Sequence, residues 1–461
     1  MLTSKNIGLL GVLAVAIVIF LQTVVANPPR YRRAATPAEV ARGPLFNFES
    51  KDLPKTLRTD LKGTSIRFAV AENGPDRSWD DLLVSKFHEL TGINVQLVRM
   101  GNDTTAALSS YLRQFGEGPP QADVYDIDIV WPGILSKYAL DLRAEFGDLP
   151  DMAQALVEND TVNGKLVAVP YFVEISLLYY RSDLLKKYRF DRPPSTWREV
   201  EQQAQAIMRG ERAEGRSQFW GFLWQGAASE ALTCNALEWQ VSEGGGQLLA
   251  TDGMLSMQLE RTATAWERAG EWIGTLSPPE VIGQLEDDSL RLWKTGNAAF
   301  MRNWPYAYVE SAKGDSNVGD GTGVTLMPQG DGPDARHADT LGGFQLMVSK
   351  ETKNREAAIE LVRFLTSPEI QRVNAITRGY APTRLDIYDD PAVLRSNKLF
   401  RTLRKVLADG AIIRPSSAAG ARYDAISEAY FTAARSTLTG QQSGLKAITQ
   451  LDKNLRRILS E

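Results

Sequence analysis

Short apolar segments alternate with helical patterns where the folded part of the chain begins. Residues 65–71 are apolar and β-prone, and residues 79–91 then repeat leucine and phenylalanine at helical spacing. Residues 94–99 predict a second strand, 106–115 a second helix and 123–130 a third strand. Strands and helices in this order predict right-handed crossovers and a mainly parallel sheet.

The rest of the chain is richer in helical patterns. Thr196 and Glu199 have the spacing of a capping box, which predicts the start of a helix, and Ser367 with Pro368 predicts another. Strand character is predicted at 166–171, 324–328 and 344–348, and helices at 230–242, 255–273, 355–366 and 368–376. The centre of the chain, about 182–310, is therefore expected to form a second, mostly helical lobe.

Length and composition narrow the class of protein. A chain of 461 residues is too long for one ordinary core, and 43% apolar with 23% charged residues is the balance of a folded globular protein. The net charge of -4, with acids and bases interspersed, does not indicate a nucleic-acid-binding face. The single cysteine, Cys234, excludes an intramolecular disulfide, and two distant histidines give no basis for a metal, cofactor or catalytic triad.

An apolar run near the N-terminus predicts contact with a membrane. Residues 7–25 are almost continuously apolar, and Val24 to Ala26 have the small-residue form of a signal-peptidase site. The run is also nearly long enough to span a bilayer, while the arginines at 30, 32 and 33 favour the opposite orientation. We therefore predict a signal peptide or membrane anchor over 1–26, with both possibilities open, and a polar linker over 27–62.

Seven separated motifs follow one another along the folded part of the chain. They are ADVYDIDIVWPG (122–133), NGKLVAVPYFVEISLLYYRSDLL (163–185), PPSTWREV (193–200), FWGFLWQG (219–226), GNAAFMRNWPYAY (296–308), TLGGFQLMVSK (340–350) and TSPEIQRVNAITRGYAPTR (366–384). In this order and spacing the chain resembles the solute-binding proteins of ABC importers, and within them the trehalose, maltose and maltodextrin binders. The resemblance implies an α/β fold of the two-lobed periplasmic-binding-protein type, with a hinge and a ligand cleft between the lobes.

The resemblance also implies how the chain is divided and used. It predicts lobe 1 at 63–172 plus 323–350 and lobe 2 at 173–322 plus 351–461. It implies a monomeric, non-enzymatic protein in the periplasm or at the cell exterior. Its expected partners are a small carbohydrate ligand and the transmembrane subunits of an ABC permease, with no nucleic acid and no cofactor.

Acidic residues at strand ends are the first candidates for ligand binding. Alternation along 125–131 places Asp126 and Asp128 on one face, with Asp128 near the carboxyl end of the strand. Ligands of open α/β sheets bind outside those ends, so we assign Asp128 to a sugar hydroxyl and Asp126 to a structural role. A helix cap or an internal ion pair is the alternative for Asp128. Relatives carry acids at about the positions of Glu72 and Glu174, which the resemblance adds to the site.

Flat aromatic rings are expected beside these acids, because sugars present C–H faces as well as hydroxyl edges. The resemblance supplies the remaining candidates, which are Phe172, Trp224, Gln225, Trp304, Tyr306, Gly342, Gly343, Phe344 and Arg414. Core packing is the alternative for each aromatic, a plain turn for the two glycines, and a surface salt bridge for Arg414.

One departure from the family pattern concerns specificity. Relatives often have an arginine after a threonine in the segment that here reads NDTTAALSSYL, where this chain has Ala106 and Ala107. The expected ligands therefore include sucrose and glucosyl-polyols as well as trehalose and maltose, because one lost donor can redirect specificity. Three other functions stay open: a secreted glycoside hydrolase, a quaternary-ammonium binder with a Trp224–Trp304 cage, and an interaction protein without a ligand.

Overall fold

The structure is a computed structural model, which describes residues 48–49, 52–71, 77–100, 104–118, 120–250, 253–397, 399–409 and 411–461. The predicted signal peptide or anchor, most of the linker, and Glu72 lie outside these residues. From Phe48 to Glu461 the chain forms one unit. No helix within the described ranges is both long and apolar enough to cross a membrane.

Strands and helices are numbered separately in chain order. The strands are β1 (Ser65–Ala71), β2 (Asn94–Met100), β3 (Val124–Asp128), β4 (Thr161–Val162), β5 (Lys165–Leu166), β6 (Val169–Ile175), β7 (Leu177–Arg181), β8 (Trp220–Leu223), β9 (Ala298–Asn303), β10 (Thr322–Thr325), β11 (Asp339–Val348), β12 (Ala381–Pro382) and β13 (Ala411–Ile412). The helices are α1 (Arg77–Thr91), α2 (Thr104–Glu117), α3 (Pro132–Leu135), α4 (Arg143–Phe146), α5 (Gln154–Asn159), α6 (Ser182–Lys187), α7 (Trp197–Ala213), α8 (Glu230–Ser242), α9 (Leu259–Trp272), α10 (Glu286–Lys294), α11 (Tyr306–Ser311), α12 (Arg355–Leu365), α13 (Pro368–Arg378), α14 (Pro391–Ser396), α15 (Leu399–Asp409), α16 (Ser416–Ala419), α17 (Tyr423–Leu438) and α18 (Gly444–Ser460).

The predicted helix starts at Thr196 and Ser367 are confirmed by their caps. The Thr196 hydroxyl accepts from the Glu199 N–H at 3.1 Å, and the Glu199 carboxylate accepts from the Ser195 N–H at 2.7 Å. The Ser367 hydroxyl accepts from the Ile370 N–H at 3.3 Å. Each cap satisfies a backbone donor that the first turn of a helix leaves unpaired.

The first sheet has the strand order β12-β6-β11-β3-β1-β2, with β13 added beside β11. β1 runs parallel to β2 and β3, while β11 runs antiparallel to β3 and β6. The parallel strands β1, β2, β3 and β6 therefore all finish at one edge of the sheet. That edge is where open α/β sheets bind ligands.

The second sheet has the order β10-β7-β9-β8, and the chain reaches it directly from the first. β6 ends at Ile175 and β7 begins at Leu177, so Ser176 alone separates the two sheets. The Ser176 N–H donates to the Thr340 carbonyl at 3.0 Å, and the Thr340 N–H donates to the Ser176 hydroxyl at 2.8 Å. The two strands that cross between the lobes are thus bonded side by side. The expected two-lobed fold with crossing segments is confirmed.

Two parts of the predicted layout differ from the structure. The strand expected at 166–171 is split, because Leu166 ends β5, which forms a hairpin with β4 across the Asn163–Gly164 turn, and β6 begins only at Val169. β10 pairs with β7 in the second sheet, although 323–350 was assigned to lobe 1. α12 packs on β1 and β11 of the first sheet, although 351–461 was assigned to lobe 2. The lobe limits themselves stay a prediction.

Candidate functional site

Asp128 ends β3 at the edge where the parallel strands finish. Its backbone pairs with Phe344 of β11, and its Oδ1 accepts a hydrogen bond from the Val130 N–H at 3.0 Å. The carboxylate also lies 3.8 Å from Nη2 of Arg414. Burial raises the pKa of Asp128 to about 6, although the Arg414 guanidinium opposes the rise. Asp128 is therefore a desolvated acceptor with only part of its bonding capacity used.

Glu174 lies on the crossing strand β6, opposite Gly342 of β11. Burial raises the pKa of Glu174 to about 8, and the charges of Glu286 and Asp128 add to the rise. Part of the side chain nevertheless reaches solvent. A carboxyl group that is largely protonated at neutral pH can donate a hydrogen bond as well as accept one.

Glu286 is a third acid at this site, and the sequence analysis missed it. It is the first residue of α10, and its Oε1 accepts a hydrogen bond from the Trp304 indole N–H at 3.3 Å. Its charge raises the pKa of both Asp128 and Glu174, which places it near both. In the sequence it opens an acidic first turn, which is the ordinary charge pattern of a helix N-terminus and gave no signal of a site.

Arg414 lies in the segment that links β13 to α16 and is only 3% exposed. Its Nη1 donates to Glu230 at 2.7 Å and its Nη2 donates to the Leu341 carbonyl at 3.2 Å, while its Nε has no partner. Glu230 also accepts from the hydroxyls of Tyr423 and Ser427, each at 2.5 Å. The guanidinium thus lies between Asp128 and the first residue of α8. It forms a buried ion pair, not the surface salt bridge that was its alternative.

Trp304 follows β9 and is 8% exposed. The Arg302 guanidinium lies over one face of its ring, 4.0 Å from the ring centroid. A Cβ atom at Gly342 would come within 3.2 Å of two carbons of the same ring and 3.6 Å of the Glu174 Cβ. The indole therefore lies directly beside Glu174, and the absence of a side chain at Gly342 makes room for it.

A second group of rings lies on the first sheet. Phe172 stacks on Tyr380 with the ring centroids 4.3 Å apart and an interplanar angle of 11°, and it packs against Phe344 at 5.3 Å. Phe344 is opposite both Phe172 and Asp128 in the sheet, so these side chains share one face. Tyr380, which follows α13, was not predicted from the sequence.

Gly343 has a backbone role. Its φ is +113°, and a Cβ atom there would lie 2.3 Å from the Phe172 carbonyl oxygen. The register between β11 and β6 shifts immediately after it, between Phe344 and Gln345. Only glycine adopts this backbone conformation readily, so the residue permits a bulge in the sheet. The bulge alone accounts for a glycine here, so the predicted approach of Gly343 to a ligand stays a prediction.

Trp224 and Gln225 require a correction, because the structure buries both completely inside the second lobe. The Trp224 indole donates to Ser277 at 3.0 Å and packs edge-on against Trp239. Gln225 donates to Ser289 at 2.7 Å and to the Arg302 carbonyl at 2.9 Å. Neither side chain offers a surface to a ligand. A tryptophan beside a polar residue looks the same in sequence whichever way its ring points.

The remaining candidates are Tyr306 and Glu72. Tyr306 begins α11, two residues after Trp304, is partly exposed, and donates to Asp287 at 3.4 Å. Burial raises its pKa well above the usual value, and Glu286 and Asp287 add to the rise. Tyr306 thus lies on the second-lobe side near Glu286. Glu72 falls outside the described residues.

The site therefore joins acids from three parts of the fold. Asp128 comes from the first sheet, Glu174 from the crossing strand and Glu286 from a second-lobe helix, and flat rings lie beside them. Within the described ranges, no group of three or more His, Cys, Asp or Glu side chains could hold a metal ion. Carboxylates beside aromatic rings can bind hydroxyl groups by their oxygens and C–H surfaces by their faces.

Comparisons with known proteins agree with this architecture. The family model for bacterial extracellular solute-binding proteins matches residues 71–372. A protein of Deinococcus radiodurans described as a probable ABC transporter-binding protein is 38% identical over 370 residues, which cover 80% of this chain and 87% of that protein. The structure of maltose-bound MalE3 from T. maritima is 32% identical and superposes with a TM-score of 0.80, covering 86% of this chain and all of that one.

A more distant relative, the mannitol-binding protein of Pseudomonas aeruginosa, is 23% identical over 361 residues, which cover 70% of this chain and 74% of that protein. The family match, the Deinococcus relative and the two-lobed fold with crossing strands agree. This chain belongs to the bacterial extracellular solute-binding protein family.

Proposed function

We propose that this protein is the binding subunit of a carbohydrate ABC importer and captures a disaccharide or glucosyl-polyol between its lobes. The observation that carries the proposal is the meeting of Asp128, Glu174 and Glu286 beside the Trp304 ring. A sugar hydroxyl can donate a hydrogen bond to a buried carboxylate without adding a charge to the site. The C–H face of a pyranose ring can stack on the indole ring. The maltose-bound T. maritima relative, at 32% identity, supports a saccharide over other solutes.

The proposed mechanism is capture by closure. Asp128 and Glu286 lie on different lobes, so a ligand that bonds to both favours the closed arrangement. If the closed arrangement is populated at 1% without ligand and 99% with it, the ligand must bind the closed arrangement more tightly than the open one by about 5.5 kcal/mol. Charge-assisted hydrogen bonds contribute about 1.5 to 3 kcal/mol each, so two at the upper end of this range, or about four at the lower end, supply that difference. The permease then recognises the closed form outside the cytoplasmic membrane, and residues 1–26 deliver or tether the protein there.

Two rival functions have less support. A quaternary-ammonium cage needs several open aromatic faces, but Trp224 is buried in the core and Arg302 already covers one face of Trp304. A glycoside hydrolase needs an acid paired with a base or nucleophile, and the relatives that match along the chain are binding proteins.

The test is calorimetry of the purified protein with trehalose, maltose, sucrose, glucosylglycerol, mannitol and betaine. We expect the tightest binding to one of the four glycosides. Asp128→Asn should weaken that binding about tenfold or more, because it replaces a charged acceptor by a neutral one while keeping an oxygen for the Val130 N–H. Tighter binding of betaine, release of glucose from a disaccharide, or unchanged affinity of Asp128→Asn would each contradict the proposal.

A further inference from the structure

Asn159 ends α5 and lies buried between two segments of the candidate site. Its Nδ2 donates to the Ile129 carbonyl at 2.8 Å, and its Oδ1 accepts from the Ser416 hydroxyl at 3.0 Å. The side chains of Asn159 and Ser416 belong to residues that are 3% and 1% exposed. The amide therefore joins the chain after β3 to the first residue of α16, two segments that lie 287 residues apart in the sequence.

Each of these segments carries a charged residue of the site. Ile129 follows Asp128 directly, and Ser416 follows Arg414 by two positions. The carboxylate and the guanidinium lie 3.8 Å apart, measured from Oδ1 to Nη2. A direct charge-assisted hydrogen bond is about 2.7 to 2.9 Å long, so the two groups attract each other without forming that bond.

A tight turn connects the position of Ser416 to that of Arg414. The Ser416 N–H donates to the Arg414 carbonyl at 2.7 Å, and Pro415 between them has a φ of −77° and a ψ of 44°. This geometry is close to an inverse γ-turn, and the proline ring fixes φ. A Cβ atom at Gly133 would lie 2.8 Å from the Ser416 carbonyl oxygen, so α3 packs directly against the start of α16. The Arg414 backbone therefore has little freedom once Ser416 is held.

The segment after β3 is held as closely. The Ile129 N–H donates to the Gly343 carbonyl at 3.0 Å, while the Ile129 carbonyl accepts from the amide. Nδ2 of Asn159 also donates to Oδ1 of Asp160 at 3.3 Å, which fixes the orientation of the amide. The distance between the carboxylate and the guanidinium therefore depends on the amide that bonds to both segments.

We propose that Asn159 is a positioning residue that sets the separation of Asp128 and Arg414. It acts through the Ser416 hydroxyl and keeps the guanidinium from closing on the carboxylate, whose oxygens then accept from a ligand hydroxyl. Without the amide, Arg414 moves toward Asp128 and competes with the ligand for those oxygens. This inference rests on the proposed function and adds to it a residue that does not itself bind the ligand.

The experiment measures the dissociation constant of the tightest-binding glycoside in two backgrounds, the wild type and Asp128→Asn. Asn159→Ala removes the amide, whereas Ser416→Ala removes a hydroxyl and leaves the bond from Asn159 to Ile129 in place. In the wild type we expect Asn159→Ala to weaken binding at least about fivefold and Ser416→Ala about threefold. In Asp128→Asn, where the charge that attracts Arg414 is gone, each change should weaken binding less than about twofold.

Asn397→Ala is the matched control. Asn397 is also a buried amide, 5% exposed, but its Oδ1 accepts from the Leu399 N–H at 2.9 Å at the start of α15. This variant should lower the melting temperature, as Asn159→Ala does, and leave the dissociation constant within about twofold of the wild type.

Crystal structures of the ligand-free wild type and Asn159→Ala give a second readout, which does not depend on a sugar. The distance from Oδ1 of Asp128 to Nη2 of Arg414 should be shorter in the variant by about 0.5 Å or more. An unchanged or longer distance overturns the positioning role.

The binding results separate this inference from the proposed function. A wild type that binds none of the glycosides overturns the proposed function and the inference that rests on it. A wild type that binds a glycoside, with Asn159→Ala binding it equally well, overturns the positioning role alone. Weakening by the same factor in both backgrounds has that consequence too, because a purely structural effect does not depend on the charge of Asp128. Should Asn159→Ala fail to fold, Ser416→Ala decides by the same criteria.

Discussion

Among single residues, the two buried arginines nearest the candidate site are each paired most closely with a glutamate outside it. Arg302 is fully buried and paired with Glu238 at 2.5 Å, and Arg414 is paired with Glu230 at 2.7 Å. The two cations nearest the candidate site therefore already have carboxylate partners. The desolvation of Asp128 and Glu174 is therefore compensated only in part, and the pKa values of both carboxyl groups are raised. In the proposed function, hydroxyl groups of the ligand supply the missing hydrogen bonds.

The raised pKa of Glu174 predicts a pH dependence of stability. Its pKa is about 8 in the fold against an ordinary value of 4.5, so the folded state holds a proton that the unfolded state releases. This contribution favours the fold at and below pH 4.5 and is lost as the pH rises through 8. Glu174→Gln should therefore melt above the wild type at pH 9 and close to it at pH 5, in thermal melts without ligand.

Glu199→Gln provides a control of opposite sign. Hydrogen bonds from the Arg192 side chain and the Ser195 N–H hold the pKa of Glu199 below its ordinary value, although burial opposes this shift. Its stabilisation is present at neutral pH and is lost on acidification, so this variant should melt below the wild type at pH 7. A difference between Glu174→Gln and the wild type that stays constant from pH 5 to pH 9 would contradict the assigned pKa.

The sequence could reveal only part of this site. Asp128 and Glu174 could be predicted because strand ends and the family resemblance point to them, and Trp304 because its motif does. Glu286 was missed because a helix start explains an acid equally well. Trp224 was wrong for a related reason, since local pattern does not say which side of a strand faces the core.

At the level of elements, the pairing of β6 with β11 shapes the site. The bulge turns Tyr171 toward Phe172, and the two glycines of β11 let β6 and Trp304 approach. The strands themselves could be predicted, because apolar alternation and turn residues mark them. The bulge could not, because it depends on which residues of two distant strands face each other.

The two adjacent glycines should respond differently to substitution by alanine. At Gly343 the φ of +113° and a Cβ contact of 2.3 Å with the Phe172 carbonyl predict a loss of about 3 kcal/mol or more in unfolding free energy. At Gly342 the Cβ meets the Trp304 ring at 3.2 Å, so the indole shifts slightly. Gly342→Ala should weaken sugar binding while costing about 1 kcal/mol of stability, which is less than the cost at Gly343.

Denaturant unfolding and calorimetry on the two variants check this division. Equal destabilisation by both substitutions would show that Gly342, like Gly343, is required by the backbone. Sugar affinity unaffected by Gly342→Ala would mean that Trp304 does not contact the ligand.

At the scale of the whole molecule, the crossing segments determine how the lobes move relative to each other. The passage at Ser176 is a single residue, and its bonds to Thr340 hold the two neighbouring strands together. The segment around Arg414 continues from β13 on the first sheet through α16, which packs on α3, to α17 beside α8 and α9. Motion of the second lobe must therefore be absorbed at these few positions, as in hinge closure.

Closure predicts separate effects for acids on the two lobes. A ligand that keeps its bonds to Asp128 but loses those to Glu286 still binds the first lobe, yet it no longer favours the closed arrangement. At saturating sugar, Glu286→Ala should show a smaller fall in radius of gyration than the wild type, together with weaker affinity. Small-angle X-ray scattering with and without ligand measures the fall directly. Asp320→Ala, an exposed acid on the second-lobe side, should behave like the wild type. If Glu286→Ala shows the same fall in radius of gyration as the wild type, α10 does not contribute to ligand binding. The contact from the second lobe would then have to come from Trp304 or Tyr306.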